Sequence, residues 1–266
     1  MKLSLKPRKR RSPKHVALRP EFSAQQARAR FQGRRLSFRD YDRLVERDEL
    51  GSENGTFKYL FLRNTFPASL VENSGRTLRD VPVSESNHTR LSLGKNGTGG
   101  GTALGWMGNR KLKPSVDYPF LDQYLLMPLL IAISERMRAY LPEEWERQVA
   151  LAKKNGHRVL GSMLGNPDIP RLSDPDPIFS TITVNRNVPF KSHVDGGNES
   201  MACLATFGEF SGSYLCLPRL RVAFDIQPGD LLIADTNHEQ HGSISPRTGT
   251  RISVVAYLRS FPKLGD

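Results

Sequence analysis

Cysteine is scarce, with only Cys203 and Cys216 in 266 residues. Two thiols cannot build a zinc site alone. Both fall in apolar, strand-like stretches and read as small buried hydrophobes in a reducing compartment, not as a disulfide framework. Long apolar runs are missing too. No stretch approaches the roughly 18 apolar residues of a membrane span, and the N-terminus carries charge without the apolar core of a secretory signal. The expectation is an intracellular protein with no membrane contact. The glycine-richest segment, Leu93–Thr102, lacks the Gly-Lys-Ser/Thr order of a Walker loop, which excludes that phosphate cradle. Acidic residues are nearly absent at the start. Residues 1–35 hold twelve Lys or Arg against Glu21 alone, a net +11 out of +12 for the whole chain.

That basic start has a composition of its own. Lys6–Lys14 contains two prolines and no apolar residue, which predicts an extended, disordered arm. Such an arm neutralises phosphates without reading sequence, and the same letters fit a nuclear import signal in a eukaryotic cell. At 38% hydrophobic composition, one compact domain plus an appendage is the natural size. We therefore divide the chain into a basic disordered arm, 1–35, and one domain, 36–266. Within the domain, 36–177 reads as helices and loops and 178–260 as strands.

Helix is expected over Ser23–Arg30 and Phe38–Val45, a turn over Gly51–Gly55, a buried strand over Phe57–Leu62 and a short helix over Leu70–Leu78. Tyr118–Leu141 has the apolar spacing of a core-facing helix that Pro128 should kink. A second helix runs from Pro142 to Asn155. Thr102–Arg110 reads as the anchored end of a glycine-hinged loop. Trp106 and Arg110 on it are candidates to close over a substrate. After a proline-rich loop, Asn166–Pro177, come some eight short strands, the count of a jelly roll. The expected fold class is mainly β with flanking helices.

Chemistry concentrates between Phe179 and Arg259. In His193-Val-Asp195 a histidine and a carboxylate two residues apart on a strand point to one face. His241 offers a second imidazole, and two nitrogens with one carboxylate form a facial set that leaves open positions on a metal. Zinc, manganese or nickel would also accept these donors. Arg251 opens the apolar strand Arg251–Tyr257 and presents a planar fork suited to a bidentate carboxylate grip. His238 competes with His241 for the second nitrogen. On an extended chain their odd spacing puts them on opposite faces.

The ordered set Thr183-Val-Asn-Arg-Asn187, His193-Val-Asp-Gly-Gly197, Gly212–Pro218, Pro228-Gly-Asp-Leu-Leu232, His241-Gly242 and Arg251–Arg259 resembles the TET/JBP oxygenases. These are the ten-eleven translocation 5-methylcytosine oxidases and the base J-binding thymine hydroxylases. The resemblance covers the last third of the chain well and the rest poorly. It implies a double-stranded β-helix, cupin-like core over 178–260, Fe(II) held by His193, Asp195 and His241, and 2-oxoglutarate gripped by Arg251. The ten-residue step from His241 to Arg251 is usual in this class, which favours His241 over His238. Asn185, preceding Arg186 on the strand before the histidine, matches an asparagine that contacts the cosubstrate in the related AlkB-type oxygenases. The usual second arginine of AlkB enzymes is replaced here by Tyr257.

The resemblance further implies DNA as partner and a flipped pyrimidine as substrate. Tyr257 would stack on the base, and Arg259 and Asn198 would meet its edge. Arginine only donates, so Arg259 suits a carbonyl oxygen and leans toward thymine over 5-methylcytosine. Phosphate contacts would come from the basic arm. Two other functions remain open at this point. One is a 2-oxoglutarate-dependent prolyl or lysyl hydroxylase of the same fold, and the other is a non-catalytic DNA-binding module.

Overall fold

A computed structural model describes residues 12–81, 83, 100–107, 113–114, 120–155, 178–196, 198–199 and 201–259. The chain begins with strand β1 (Lys14–Ala17), helix α1 (Ala24–Phe31) and strands β2 (Arg43–Val45), β3 (Glu49–Glu53) and β4 (Thr56–Leu62). Helix α2 (Ala68–Asp80), strands β5 (Gly100–Met107) and β6 (Lys113–Pro114), and helices α3 (Phe120–Tyr140) and α4 (Pro142–Asn155) follow. The C-terminal part is nearly all strand: β7 (Thr181–Arg186), β8 (Ala202–Phe207), β9 (Phe210–Ser211), β10 (Leu215–Leu217), β11 (Val222–Phe224), β12 (Leu231–Ala234), β13 (Gly242–Ser243), β14 (Thr248–Gly249) and β15 (Ile252–Tyr257).

Nine strands form one sheet in the order β1-β3-β4-β12-β8-β15-β7-β5-β6, and a second sheet runs β13-β10-β11-β2. Period-two alternation sorts every central strand between two cores. On the outer face of the large sheet, Leu60, Leu62, Ile182, Val184, Cys203, Ile233, Val254 and Ala256 pack against α2 and α3 through Leu78, Leu129 and Ile133. On the inner face, Tyr59, Phe61, Leu232 and Ala234 meet Leu215, Leu217, Val222 and Phe224 of the small sheet. The product is a double-stranded β-helix braced by helices on one side. Burying a side chain of this size contributes on the order of 1.5–3 kcal/mol, so the inner core holds the sheets face to face and the outer core holds the helices on the large sheet.

The small sheet has its own outer cover. Ser23 caps α1: the Gln26 N–H donates to Ser23 Oγ at 3.2 Å and the Ser23 N–H donates to Gln26 Oε1 at 2.9 Å, a reciprocal capping box. Ala27 and Phe31 of α1 then bury against Cys216 and Ala223. The expected arm is therefore shorter than residues 1–35. Lys14–Ala17 pairs in parallel with Glu49–Ser52, and α1 is part of the packed body. Residues 1–11 lie outside the described residues.

Two local expectations also change. Phe38–Val45 is not a helix, because Arg43–Val45 pairs in parallel with Val222–Phe224 and completes the small sheet. Tertiary pairing overrides local propensity there. The turn expected over Gly51–Gly55 shrinks to Asn54-Gly55, both at positive φ (50° and 77°). The two predicted long helices form as α3, which runs through Pro128, and α4. The proline-rich loop Asn166–Pro177 falls outside the described residues.

Candidate metal centre

Between the two sheets lies a cavity of about 320 Å³. Alternation along β15 points Arg251, Ser253, Val255, Tyr257 and Arg259 into it, and β7 adds Thr183 and Asn185. His193, Asp195, Asn198 and His241 line the same space.

His193 and His241 lie on segments joined by an antiparallel bridge. The His193 N–H donates to the His241 carbonyl at 2.9 Å and the His241 N–H returns the bond at 2.8 Å. The two rings stand 4.3 Å apart, centroid to centroid. Each Nδ1 faces the carbonyl two residues earlier, Lys191 O at 2.7 Å for His193 and Glu239 O at 3.1 Å for His241. A proton on Nδ1 satisfies both carbonyls and leaves both Nε2 lone pairs free. Those Nε2 atoms sit 3.4 and 3.8 Å from Asp195 Oδ1. One donor atom from each of the three residues falls within 4.8 Å of the others. Carbonyl-anchored imidazoles around a carboxylate are the arrangement of a metal site with its supporting shell in place.

Protonation fits the same role. Burial works against the Asp195 charge, but the His241 and His193 rings outweigh it and hold its pKa at about 2. Burial drives His241 down to about 4. Burial also pulls on His193, yet the hydrogen bond and charge of Asp195 and the Lys191 carbonyl raise it overall. At neutral pH the trio thus offers a carboxylate and at least one neutral imidazole, the species that ligate.

Gly242 follows His241 where the chain is crowded. A Cβ there would lie 3.0 Å from Leu36 Cδ1 and 3.1 Å from Phe190 O. His238 takes a different course: it is solvent-exposed and bonded through Nδ1 to Asp235 Oδ1 at 2.8 Å. Of the two histidines, His241 is the one the fold places beside His193 and Asp195.

At the far side of the cavity Arg251 is 5% exposed. Its Nη1 donates to Ser213 Oγ at 2.8 Å, and its Nε has no acceptor. Burial pulls its pKa down to about 10, which still leaves it charged at neutral pH. Among the described residues no ion pair answers its charge, and a buried cation left so is costly. Asn185 Oδ1 and Asn198 Oδ1 are likewise buried without a hydrogen-bond partner among the described residues. Tyr257 Oη lies 3.2 Å from Thr183 Oγ1, and the backbones of Asn198 and Arg259 form an antiparallel bridge.

For two expected substrate residues only the backbone of one is described. Trp106 lies on β5, where its backbone pairs with Pro114. The segment read as a loop anchor is therefore a strand from Gly100 onward. Arg110 lies outside the described residues. Sequence reasoning gave no role to Ser213 or Thr183. Ser213 stands within the Gly212–Pro218 segment, but a lone serine carries no signal that its hydroxyl will meet a guanidinium 38 residues later.

A double-stranded β-helix carrying two histidines, a carboxylate and a buried arginine defines the class of iron- and 2-oxoglutarate-dependent oxygenases. Comparison with known proteins places the chain within that class. The Tet_JBP family, described as the oxygenase domain of the 2OGFeDO superfamily, matches residues 114–260. The chain belongs to this family.

Among its relatives, the bifunctional helicase and thymine dioxygenase JBP2 of Leishmania infantum is 42% identical over 90 residues, covering 31% of this chain and 8% of that protein. Thymine dioxygenase JBP1-A of Trypanosoma cruzi is 28% identical over 241 residues, 83% of this chain and 26% of that protein. The chain thus spans about a quarter or less of these relatives' lengths. The solved structure of NgTET1 in complex with 5mC DNA superimposes with a TM-score of 0.61 at 19% identity, over 89% of this chain and 85% of that one. That likeness supports the fold. Among the described residues, no helix is long and apolar enough to cross a membrane.

Proposed function

We propose that this chain is an Fe(II)- and 2-oxoglutarate-dependent dioxygenase that hydroxylates the 5-methyl group of a pyrimidine in DNA. One observation carries the reading. Three metal-ligating side chains converge within 4.8 Å at one part of a cavity that also contains Arg251, a buried cation whose Nε has no acceptor.

In this reading His193 Nε2, Asp195 and His241 Nε2 hold Fe(II), and the Lys191 and Glu239 carbonyls keep both rings in the ligating tautomer. Arg251 and Ser213 receive the distal carboxylate of 2-oxoglutarate, and Asn185 bonds its other end. Bound together, iron and 2-oxoglutarate would activate O2, the oxidant: one oxygen atom would go to succinate as 2-oxoglutarate loses CO2, and the other to the methyl carbon. The chain's own residues orient the substrate and keep water out. Leu204, Leu215, Leu232, Ala234 and Val255 wall the cavity with apolar surface.

Tyr257, Asn198 and Arg259 take the base. A base inside a duplex cannot reach this cavity unless it leaves the stack, at a cost of a few kcal/mol. Thymine is the favoured base. Arg259 offers only donors, which suit a carbonyl oxygen at the 4-position, and the JBP relatives are named thymine dioxygenases. 5-Methylcytosine, the base in the NgTET1 complex, is the other substrate to compare.

DNA contact is supported by the basic N-terminus, now in an ordered setting. Arg28, Arg30, Arg34 and Arg35 are exposed on α1 and the loop after it. That loop is fastened to the site: Gly33 N–H donates to the Ser192 carbonyl and Ser192 N–H to the Arg34 carbonyl, both at 2.7 Å. Ser192 adjoins His193, so these arginines would place phosphates beside the metal. In a eukaryotic cell such a substrate puts the protein in the nucleus.

The test is cosubstrate turnover. With Fe(II), oxygen and 2-oxoglutarate, succinate release should rise severalfold on adding duplex DNA and vanish in His193→Ala. Turnover that ignores DNA but responds to a proline- or lysine-containing peptide would move the substrate to protein.

A further inference from the structure

The segment that carries His241 is fastened by a charge network that does not line the cavity. Glu239 is fully buried, and both its oxygens are taken by one guanidinium. Arg219 Nε donates to Oε2 at 2.7 Å and Nη2 to Oε1 at 2.5 Å. Lys58 Nζ adds a contact to Oε1 at 2.8 Å. Arg219 also grips Glu53, with Nη1 to Oε1 at 3.0 Å and Nη2 to Oε2. Lys58 closes the ring at 3.6 Å from Glu53 Oε2. Two cations and two anions are thus mutually satisfied.

The four residues come from four parts of the chain. Glu53 ends β3 and Lys58 lies on β4. Arg219 sits in the 3-10 turn after β10, and Glu239 in the turn after β12. The turn is pinned at its start as well, since Asp235 N–H donates to the Lys58 carbonyl at 3.0 Å. Burial lowers the Arg219 proton affinity and the two carboxylates raise it. The carboxylates prevail, so the fork is permanently charged.

What this network holds is the Glu239 peptide, and the Glu239 carbonyl accepts the Nδ1–H of His241. We propose that Arg219, through Glu239 and with Lys58 and Glu53, is a positioning residue for the second imidazole of the metal site. The proposal rests on the metal-site reading above. With the Glu239 side chain clamped, its carbonyl stays aimed at Nδ1, and the His241 lone pair stays on Nε2, facing Asp195. If that peptide turns, His241 is free to carry its proton on Nε2, and the lone pair leaves the site. Outer-shell partners of this kind hold ligands in place at metal centres generally. The planar fork matters because it holds both Glu239 oxygens and both Glu53 oxygens in fixed directions, whereas the Lys58 ammonium reaches one oxygen of each as a point charge.

The test uses the full chain, with Co(II) as the probe, titrated by its visible absorption. Arg219→Lys keeps the charge and loses the fork. It should bind Co(II) about 10–100-fold more weakly, with a changed band shape. Ring-nitrogen NMR of the metal-free protein gives an independent readout: His241 should be the Nδ1–H tautomer in the parent chain and a mixture of tautomers in Arg219→Lys. Arg221→Ala, which removes a neighbouring arginine paired with Asp42 and Glu21 at the surface, should change neither.

Should Arg219→Lys fail to fold, Glu239→Gln decides the matter, since it keeps the shape of the side chain and removes the charge by which Arg219 and Lys58 grip it. It should lower Co(II) affinity severalfold. Folded variants with the parent affinity, spectrum and tautomer would overturn the positioning role and leave the network purely structural. A parent chain that binds no Co(II) would instead overturn the metal-site reading, and the proposal with it.

Discussion

Arg251 donates to Ser213 Oγ at 2.8 Å, and its own backbone N–H donates to Asn187 Oδ1 at 2.8 Å. Both ends of the residue are fixed, yet among the described residues no carboxylate answers its charge. Its pKa is lowered by burial alone.

This arrangement separates stability from binding. Arg251→Met removes a buried, unmatched cation, so the cosubstrate-free protein should melt at the parent temperature or a few degrees higher. Affinity for 2-oxoglutarate should fall by on the order of 2–5 kcal/mol, read by calorimetry with Co(II) present. Arg251→Lys should also bind weakly, because an ammonium lacks the planar fork.

Metal retention should divide the histidines. His193→Ala and His241→Ala each remove one of three converging donors and should abolish stoichiometric Co(II) binding while the circular dichroism stays unchanged. His238→Ala should bind like the parent, since its ring is exposed and turned to Asp235.

Metal binding should release protons in a pH-dependent way. His193 holds its proton above the ordinary histidine value, whereas His241 has already lost its own, with a pKa of about 4. A metal must therefore displace the His193 proton at mildly acidic pH and none at high pH. Association should strengthen as pH rises through the His193 value and then level off. Calorimetry in buffers of different ionisation enthalpy should show more proton release near about pH 6 than near about pH 9.

DNA affinity should depend steeply on salt. Each phosphate neutralised contributes about 0.9 to the slope of log K against log salt. Arg28→Ala and Arg35→Ala should each lower that slope by about one, and by the same amount on duplexes of any sequence. An unchanged slope in both variants would move the phosphate contacts elsewhere on the chain.

The C-terminal third was legible because its chemistry follows strand alternation. His193 and Asp195 share a face by their spacing, and Arg251, Tyr257 and Arg259 do so by theirs; all five line one cavity. In the N-terminal third the longer elements α1, β4 and α2 were legible, but two short strands were not. Lys14–Ala17 and Arg43–Val45 are only four and three residues long and become strands because Glu49–Ser52 and Val222–Phe224 offer edges to pair with. Helix α1 was visible from residues that favour helix, but its burial depends on Cys216 and Ala223 far along the chain. The same limit hid Ser213 and Arg219, whose partners are remote in sequence and adjacent only after folding.

Nucleoside mass analysis tests the central claim most directly. The full chain is incubated with Fe(II), 2-oxoglutarate and oxygen on duplexes carrying thymine or 5-methylcytosine, and the digested nucleosides are weighed. The account predicts a product one oxygen heavier, 5-hydroxymethyluracil from thymine in preference to 5-hydroxymethylcytosine, and none with His193→Ala. Unmodified nucleosides from both duplexes, with metal and 2-oxoglutarate demonstrably bound, would contradict it.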